Sequence, residues 1–322
     1  MFKTITNKKE YIKQCDVENL PISYNNKMEV ELFGNKILLE NNPWLWHLHL
    51  KTTDTCNANC NFCVEKNAVK KEYSELFLRN TDNMLYEMEQ AGCLYSVSVT
   101  GGEPLVFQKF EQLCYILKSH DISFLTINTN GKKLLEKLEF IDGLFDFVDI
   151  SRHSVSDIEN NSIFQSKMPS MKELKQIKNR MKKTKIRIQC VMDKVDTIEN
   201  VLEFINAFSF ADDISFRKLM KLPKEYGVDY KAKDEEYQKL LDYAYQNWGL
   251  KEQTIQDYYV YEIWNNGFTD ITLSYSNMKM LRDVEKTEPK EVFREFIIHP
   301  DGTISGSWKK DCKIIRESRC PL

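Results

Sequence analysis

No run of about eighteen apolar residues occurs anywhere in the chain, so no membrane-spanning helix is expected. The first residues, Met1 to Glu10, lack the apolar core of a secretory signal. A cytoplasmic location is the expectation. There is also no surplus of charge: the formal net charge is −3. Nucleic-acid binding therefore has no bulk electrostatic support, and only a local basic patch would allow it. No internal repeat of solenoid length is present. Nor is the composition that of a disordered chain, with 42% hydrophobic and 29% charged residues across 322 positions. Nine cysteines without a secretory signal point to reduced thiols in metal or catalytic use rather than to disulfides.

The cysteines that stand out are Cys56, Cys60 and Cys63, spaced C-x3-C-x2-C directly after the apolar-alternating run Trp44–Leu50. The next cysteine is as distant as Cys93. Thiolates are the usual ligands of iron–sulfur clusters, and a [4Fe–4S] cube has four irons to ligate. Three closely spaced thiolates leave one iron open, which suits a cluster that binds and activates a ligand rather than one that only relays electrons. The competing reading is a structural zinc knuckle, which would need a fourth Cys or His nearby. Ligand softness and count favour iron.

From Trp46 to about Leu222 short β-branched runs alternate with amphipathic segments of helical period. Strands are expected at 46–52, 94–99, 123–127, 145–150, 185–191 and 213–217. Helices are expected near 74–91, 109–119, 134–142, 168–183 and 197–209. Six such units predict a parallel sheet, a partial (β/α)6 TIM-like barrel of the α/β class. Residues 1–45 read as an N-terminal extension with a strand at Met28–Phe33, a turn at Gly34-Asn35 and a bystander Cys15. Residues 223–322 read as a C-terminal extension that closes the substrate mouth. It has a helix at 234–248, an aromatic stretch with Tyr258, Tyr259, Tyr261, Trp264 and Phe268, and a charged linker Arg282–Glu291. A β-hairpin is expected around Pro300-Asp301-Gly302.

In a parallel barrel the functional groups gather where strands end. After the second strand stands Gly101-Gly102-Glu103-Pro104, whose glycines let backbone approach a ligand and whose Glu103 offers an acceptor. Asn128-Thr129-Asn130-Gly131 follows the third strand; a plain Asn-Gly turn is the alternative. Ser151-Arg152-His153-Ser154 follows the fourth. Arg152 is a candidate to pair a carboxylate bidentately, and His153 a candidate proton donor or substrate contact, with a buried, satisfied ring as the alternative. The fifth strand ends Gln189-Cys190-Val191-Met192, and the sixth offers Arg217 and Lys218, as cofactor-carboxylate ligands or as a solvated rim.

With these residues in place, the chain resembles the radical S-adenosylmethionine (radical SAM) family over about residues 46–222, including the aromatic Phe62 before the last cysteine. The resemblance implies a [4Fe–4S] cluster on Cys56, Cys60 and Cys63, with SAM as second cofactor. It further implies a 5′-deoxyadenosyl radical that abstracts hydrogen from substrate, and a partial-barrel fold. It also implies SAM contacts from Phe62, Gly101, Gly102, Glu103, Asn130, Ser151, Gln189 and Arg217. The glycine-rich motif that some relatives place around adenine is missing at Gln189. Cys312 and Cys320 are too few for the auxiliary clusters of some members, so a single cluster is expected. A flavodoxin- or ferredoxin-type electron donor is the expected redox partner. A small-molecule substrate fits best, and size and layout are faintly similar to the queuine lyases. In that case a carboxylate such as Glu262, Asp229 or Glu295 would bind the guanine-like edge. A peptide or protein substrate, a glycyl-radical partner and a non-catalytic metal-binding module are the alternatives.

Overall fold

The computed structural model describes residues 27–40, 48–63, 71–219, 233–255, 259–276, 283, 286–288, 291–308 and 312–317. The expectations for Cys15, Trp46, Asp229, Tyr258 and Cys320 lie outside these residues.

Six parallel strands form the centre of a twelve-stranded sheet: β3 (Leu48–Lys51), β4 (Ser96–Thr100), β5 (Phe124–Thr129), β6 (Phe147–Ser151), β7 (Lys185–Val191) and β8 (Asp213–Arg217). The helices between them are α1 (Ser74–Gln90), α2 (Phe110–Lys118), α3 (Leu134–Ile141), α4 (Asp157–Phe164), α5 (Met171–Arg180) and α6 (Ile198–Ala207). All six expected strands and all five expected helices are present, with ends shifted by a few residues, and the architecture is the α/β partial barrel. Helix α4 was not anticipated. Its sequence DIENNSIF buries only Asn160 and Phe164, so it carries no apolar stripe to read. Its cap is nonetheless clear: the Ser156 hydroxyl accepts from the Glu159 amide.

The segment after 222 continues this sheet at both edges. Helix α7 (Asp234–Asn247) precedes β9 (Gly249–Ile255), β10 (Tyr259–Asn265) and β11 (Asp270–Ser276), and β11 pairs in parallel with β8. The aromatic stretch is thus mostly strand. At the other edge β13 (Phe296–Ile298) pairs in parallel with β3 and leads through Pro300-Asp301-Gly302 into antiparallel β14 (Ile304–Ser305), then β15 (Ile314–Arg316). A separate three-stranded sheet joins β1 (Lys27–Leu32), β2 (Asn35–Glu40) and β12 (Val292–Phe293). Its hairpin is anchored where the Phe33 amide donates to Glu87 of α1 at 2.8 Å.

The two faces of the large sheet differ in kind. One register row runs Val97, Leu125 and another Ile150, Ile188, Ile214, Ile271. These side chains are buried under the helices, as the Phe204–Phe216 and Tyr237–Tyr275 ring contacts show at 5.6 Å each. The opposite, inner face carries Asn128, Asp149, Arg187 and Asp213 in one row and Ser151, Gln189, Ser215 and Thr272 in the next. Strands covered on both faces by hydrocarbon read as continuous apolar runs. Here SVSVT, KIRIQCV and DISFR alternate because the inner face is built for polar contact.

Candidate active site

The loop that follows β3 docks on the loop that follows β4 through backbone alone. The Gly102 amide donates to the Thr53 carbonyl at 2.7 Å and the Glu103 amide to the Thr55 carbonyl at 2.9 Å. A Cβ on Gly101, whose φ is +145°, would lie 2.7 Å from the Thr53 oxygen, and one on Gly102 would lie 2.3 Å from the Thr55 oxygen. The glycine pair is therefore required by the approach of the cysteine loop itself. On the far side of that loop Glu72 accepts from the Thr53 hydroxyl at 2.7 Å and the Asp54 amide at 2.9 Å.

Glu103 is fully buried and ties the β4 loop to the end of β5. One oxygen accepts from the Thr129 hydroxyl at 2.6 Å and the Leu105 amide at 3.1 Å, the other from the Asn130 amide at 2.7 Å. Burial pushes its carboxyl up to about 6 against these three donors, so it is ionised at neutral pH and acts as a triple acceptor. Its known partners lie inside the protein.

The cysteine loop alternates with asparagines, which hold it to Asn130 on one side and to Gln165 at the end of α4 on the other. Asn57 Oδ1 accepts from Asn130 Nδ2 at 2.7 Å, and the same Nδ2 is 4.0 Å from Cys56 Sγ. Asn59 reaches the end of α4: its amide donates to the Phe164 carbonyl at 2.8 Å and its Nδ2 to Gln165 Oε1 at 2.8 Å. Gln165 Nε2 in turn donates to Asn61 Oδ1 at 2.6 Å. Ser166 donates to the Asn57 carbonyl at 3.0 Å. Gln165 sits in the left-handed region with φ 49°, closing α4 so that its side chain reaches across the loop. Nothing in the sequence signals Gln165 or Ser166. The Asn-x-Asn-Cys-Asn alternation was the available clue to the loop's side.

His153 stacks on Phe164 at 5.0 Å and meets Phe62 edge-on at 5.1 Å. Its Nδ1 accepts from the Val191 amide at 3.1 Å, which fixes the proton on Nε2. Complete burial and the nearby Arg152 charge push its protonation down to about 3. A ring so held is neutral at physiological pH. The geometry gives His153 a packing role between the cysteine loop and α4, not that of a proton donor. Arg152 is likewise occupied inside its own loop, donating to the Ser154, Pro169 and Val155 carbonyls and to Asp157 at 2.6–3.0 Å. Its fork holds backbone, so pairing a ligand carboxylate would break these bonds.

Ser151 and Gln189 are register partners on the inner face, and Arg217 ends β8 on that face, exposed. Deeper, Arg187 lies between Asp149 at 3.5 Å and Asp213 at 3.3 Å, donates to the Tyr261 hydroxyl at 3.2 Å and covers Phe147 at 4.4 Å. Burial works against its charge, but the two carboxylates and Tyr261 outweigh it and raise its pKa. Burial pushes both carboxyls up. Of the acids expected near a substrate edge, Glu262 points to the helix side, in one row with Leu273, and is satisfied by Gln253 at 2.7 Å and Trp264 at 3.0 Å. That expectation is corrected: its carboxylate serves the core. Glu295 instead reaches the inner face and pairs His49 at 3.2 Å.

Cys56, Cys60 and Cys63 are in no disulfide and are partly accessible. Burial raises the Cys56 thiol, opposed by a hydrogen bond from the Ala58 amide. Cys93 and Cys114 are pushed up to about 11 and about 12 by burial, and Cys190 is raised too, which makes them inert core thiols. Among the described residues no three thiol, imidazole or carboxylate groups yet surround one point as a metal site. The fit of an iron–sulfur cluster rests on the donor set: three soft thiolates on one loop, held from three sides at the strand ends.

Residues 50–208 match the Radical SAM superfamily. The chain belongs to this superfamily, a class of enzymes whose cofactors are a [4Fe–4S] cluster and SAM. Over 194 residues it is 27% identical to the 7-carboxy-7-deazaguanine synthase of Clostridium acetobutylicum, which covers 54% of this chain and 86% of that one. Over 171 residues it is 27% identical to the GTP 3′,8-cyclase of Aquifex aeolicus, covering 50% of this chain and 52% of the cyclase. In fold it is similar to Streptococcus suis SuiB bound to S-adenosylmethionine, with a TM-score of 0.61, 16% identity, and coverage of 84% of this chain and 61% of SuiB. Among the described residues no helix is long and apolar enough to cross a membrane.

Proposed function

We propose that the chain applies radical SAM chemistry to a small, flat, polar substrate of the guanine type, a lyase reaction on a modified nucleobase such as queuine being the particular case. The polar inner face of the sheet carries this reading. Its rows Asn128, Asp149, Arg187, Asp213 and Ser151, Gln189, Ser215, Thr272 make a polar lining, suited to a polar substrate rather than to an apolar one. The names of the two relatives, one a deazaguanine synthase and the other a GTP cyclase, support a guanine-type ligand. When bound, cluster and SAM supply a radical able to take hydrogen from an unactivated carbon. Cys56, Cys60 and Cys63 would hold the cluster. Asn57, Asn59 and Asn61 keep their loop in register, and the Gly101-Gly102 contact fixes its height above the sheet. Phe62, Ser151, Gln189 and Arg217 face or border the same mouth and are proposed contacts to SAM or substrate. A flavodoxin- or ferredoxin-type protein would deliver the electron.

Anaerobic reconstitution with iron and sulfide, followed by reduction and assay of 5′-deoxyadenosine, tests the reading. About four irons per chain are expected, with SAM cleavage stimulated by a guanine-type base in a panel that includes queuine. Bound zinc and no cleavage would return the chain to the metal-binding-module alternative. Stimulation only by a peptide would replace the substrate class.

A further inference from the structure

We propose that Trp308, Glu295 and His49 form a substrate-recognition subsite at the β3–β13 edge of the inner face, built for a flat heterocycle with adjacent N–H donors. The proposal rests on the reading above and names the groups that would hold such a substrate. His49 pairs in register with Ser98 on the inner face, and its strand runs directly into the cysteine loop. Glu295 Oε2 lies 3.2 Å from His49 Nε2, and the Trp308 ring lies 4.9 Å from the imidazole. The other Glu295 oxygen accepts no hydrogen bond among the described residues. Trp308 is 42% exposed. The other large exposed aromatics among the described residues sit on the outer helices, before α1, or at the β10–β11 turn, as Tyr86, Tyr115, Tyr73 and Phe268 do. Trp308 alone of these adjoins the inner face.

The platform is also firmly mounted. Ser305 Oγ meets His299 Nε2 at 2.9 Å and donates to the Ser307 carbonyl at 2.8 Å, while the Gly306 amide donates to the Lys313 carbonyl at 2.9 Å. A Cβ on Gly306 would lie 2.3 Å from Phe293, so the hairpin packs without slack one residue before Ser307. An indole and a carboxylate that both meet one imidazole, the carboxylate with an oxygen that accepts no hydrogen bond among the described residues, match a planar ring that stacks and donates N–H groups.

The test is binding by the full chain without cluster, read by tryptophan fluorescence and equilibrium dialysis. The probes are 7-deazaguanine, and caffeine as a planar ring without N–H donors. Wild type should bind 7-deazaguanine well and caffeine weakly. Trp308→Ala should weaken both at least tenfold, with Trp308→Phe recovering most of the loss. Glu295→Gln should weaken 7-deazaguanine about tenfold and leave caffeine unchanged. Equal 7-deazaguanine binding by wild type, Trp308→Ala and Glu295→Gln, or no binding by a wild type that cleaves SAM once reconstituted, would overturn the subsite and leave the enzyme class standing. Trp308-dependent binding by a chain that takes up no iron would keep the subsite and sink the radical reading.

Discussion

Asn130 donates from Nδ2 to Asn57 Oδ1 at 2.7 Å, joining the loop after the third parallel strand to the residue that follows the first cysteine. The Asn130 amide is itself held by buried Glu103 at 2.7 Å. One relay thus runs from the glycine-pair loop, through the end of β5, to the cysteine loop. Asn130→Ala should leave the fold intact, because the lost side-chain bonds join loops rather than strands or helices. It should cost about 1 kcal/mol of stability and make the reconstituted cluster more labile. Thermal unfolding of the apo chain and the rate of iron loss to a chelator measure the two effects separately.

Gly102→Ala is expected to be far more damaging than its size suggests. The new Cβ would stand 2.3 Å from the Thr55 carbonyl oxygen, a backbone atom that cannot step aside without moving the cysteine loop. A loss of about 2–4 kcal/mol is expected. Gly249→Ala is the control, since its Cβ would meet nothing closer than 3.8 Å. Equal denaturation midpoints for the two variants would refute the docking account.

Cys56→Ala should abolish cluster formation, and Cys312→Ala should leave the iron content unchanged. Cys312 is exposed and lies beyond β14, away from the strand ends that hold the triplet. Iron and sulfide counted per chain in both variants decide this. A fall in the Cys312 variant would point to a second cluster.

Acid should act on His153 with a definite sign. Its folded value, about 3, lies below the ordinary 6.5. The contribution is therefore complete above about pH 6.5 and is lost as pH falls toward 3. Between pH 6.5 and 4.5 the loss from this one group is about 2–3 kcal/mol. His153→Gln, whose amide oxygen can still accept from Val191, should be less stable at pH 7 yet flatter between those limits. Parallel pH–denaturation curves for the two proteins would contradict a neutral buried ring.

Arg187→Met should be among the most destabilising single changes, at about 3–5 kcal/mol. It leaves the carboxylates of Asp149 and Asp213, 4% exposed each, without their shared cation. Adding Asp149→Asn and Asp213→Asn to that variant should restore part of the loss. No recovery in urea denaturation would mean that Arg187 matters through its packing on Phe147 rather than through charge.

The sequence by itself determined the parallel core and the thiolate triplet. Runs such as KIRIQCV and DISFR carry a period of two that only a strand can use, and three thiolates in one short segment are chemically unambiguous about softness. The same alternation already held the polar inner face. Which residues meet was another matter. Glu262 and Glu295 read alike along the chain, yet one is enclosed by Gln253 and Trp264 on the helix side and the other stands beside His49 on the inner face. That difference is set by strand register, which pairs residues far apart in sequence. His153 and Arg152 had the residue types of catalysis, but burial and the carbonyls around them gave them structural work. Gln165 gave no signal at all, since its role depends on a left-handed turn and on α4 coming to rest against the cysteine loop. Local pattern decides elements and donor chemistry because both are properties of neighbours along the chain. Contacts, burial and the pKa values they impose belong to the packed molecule, and only the tertiary structure could decide them.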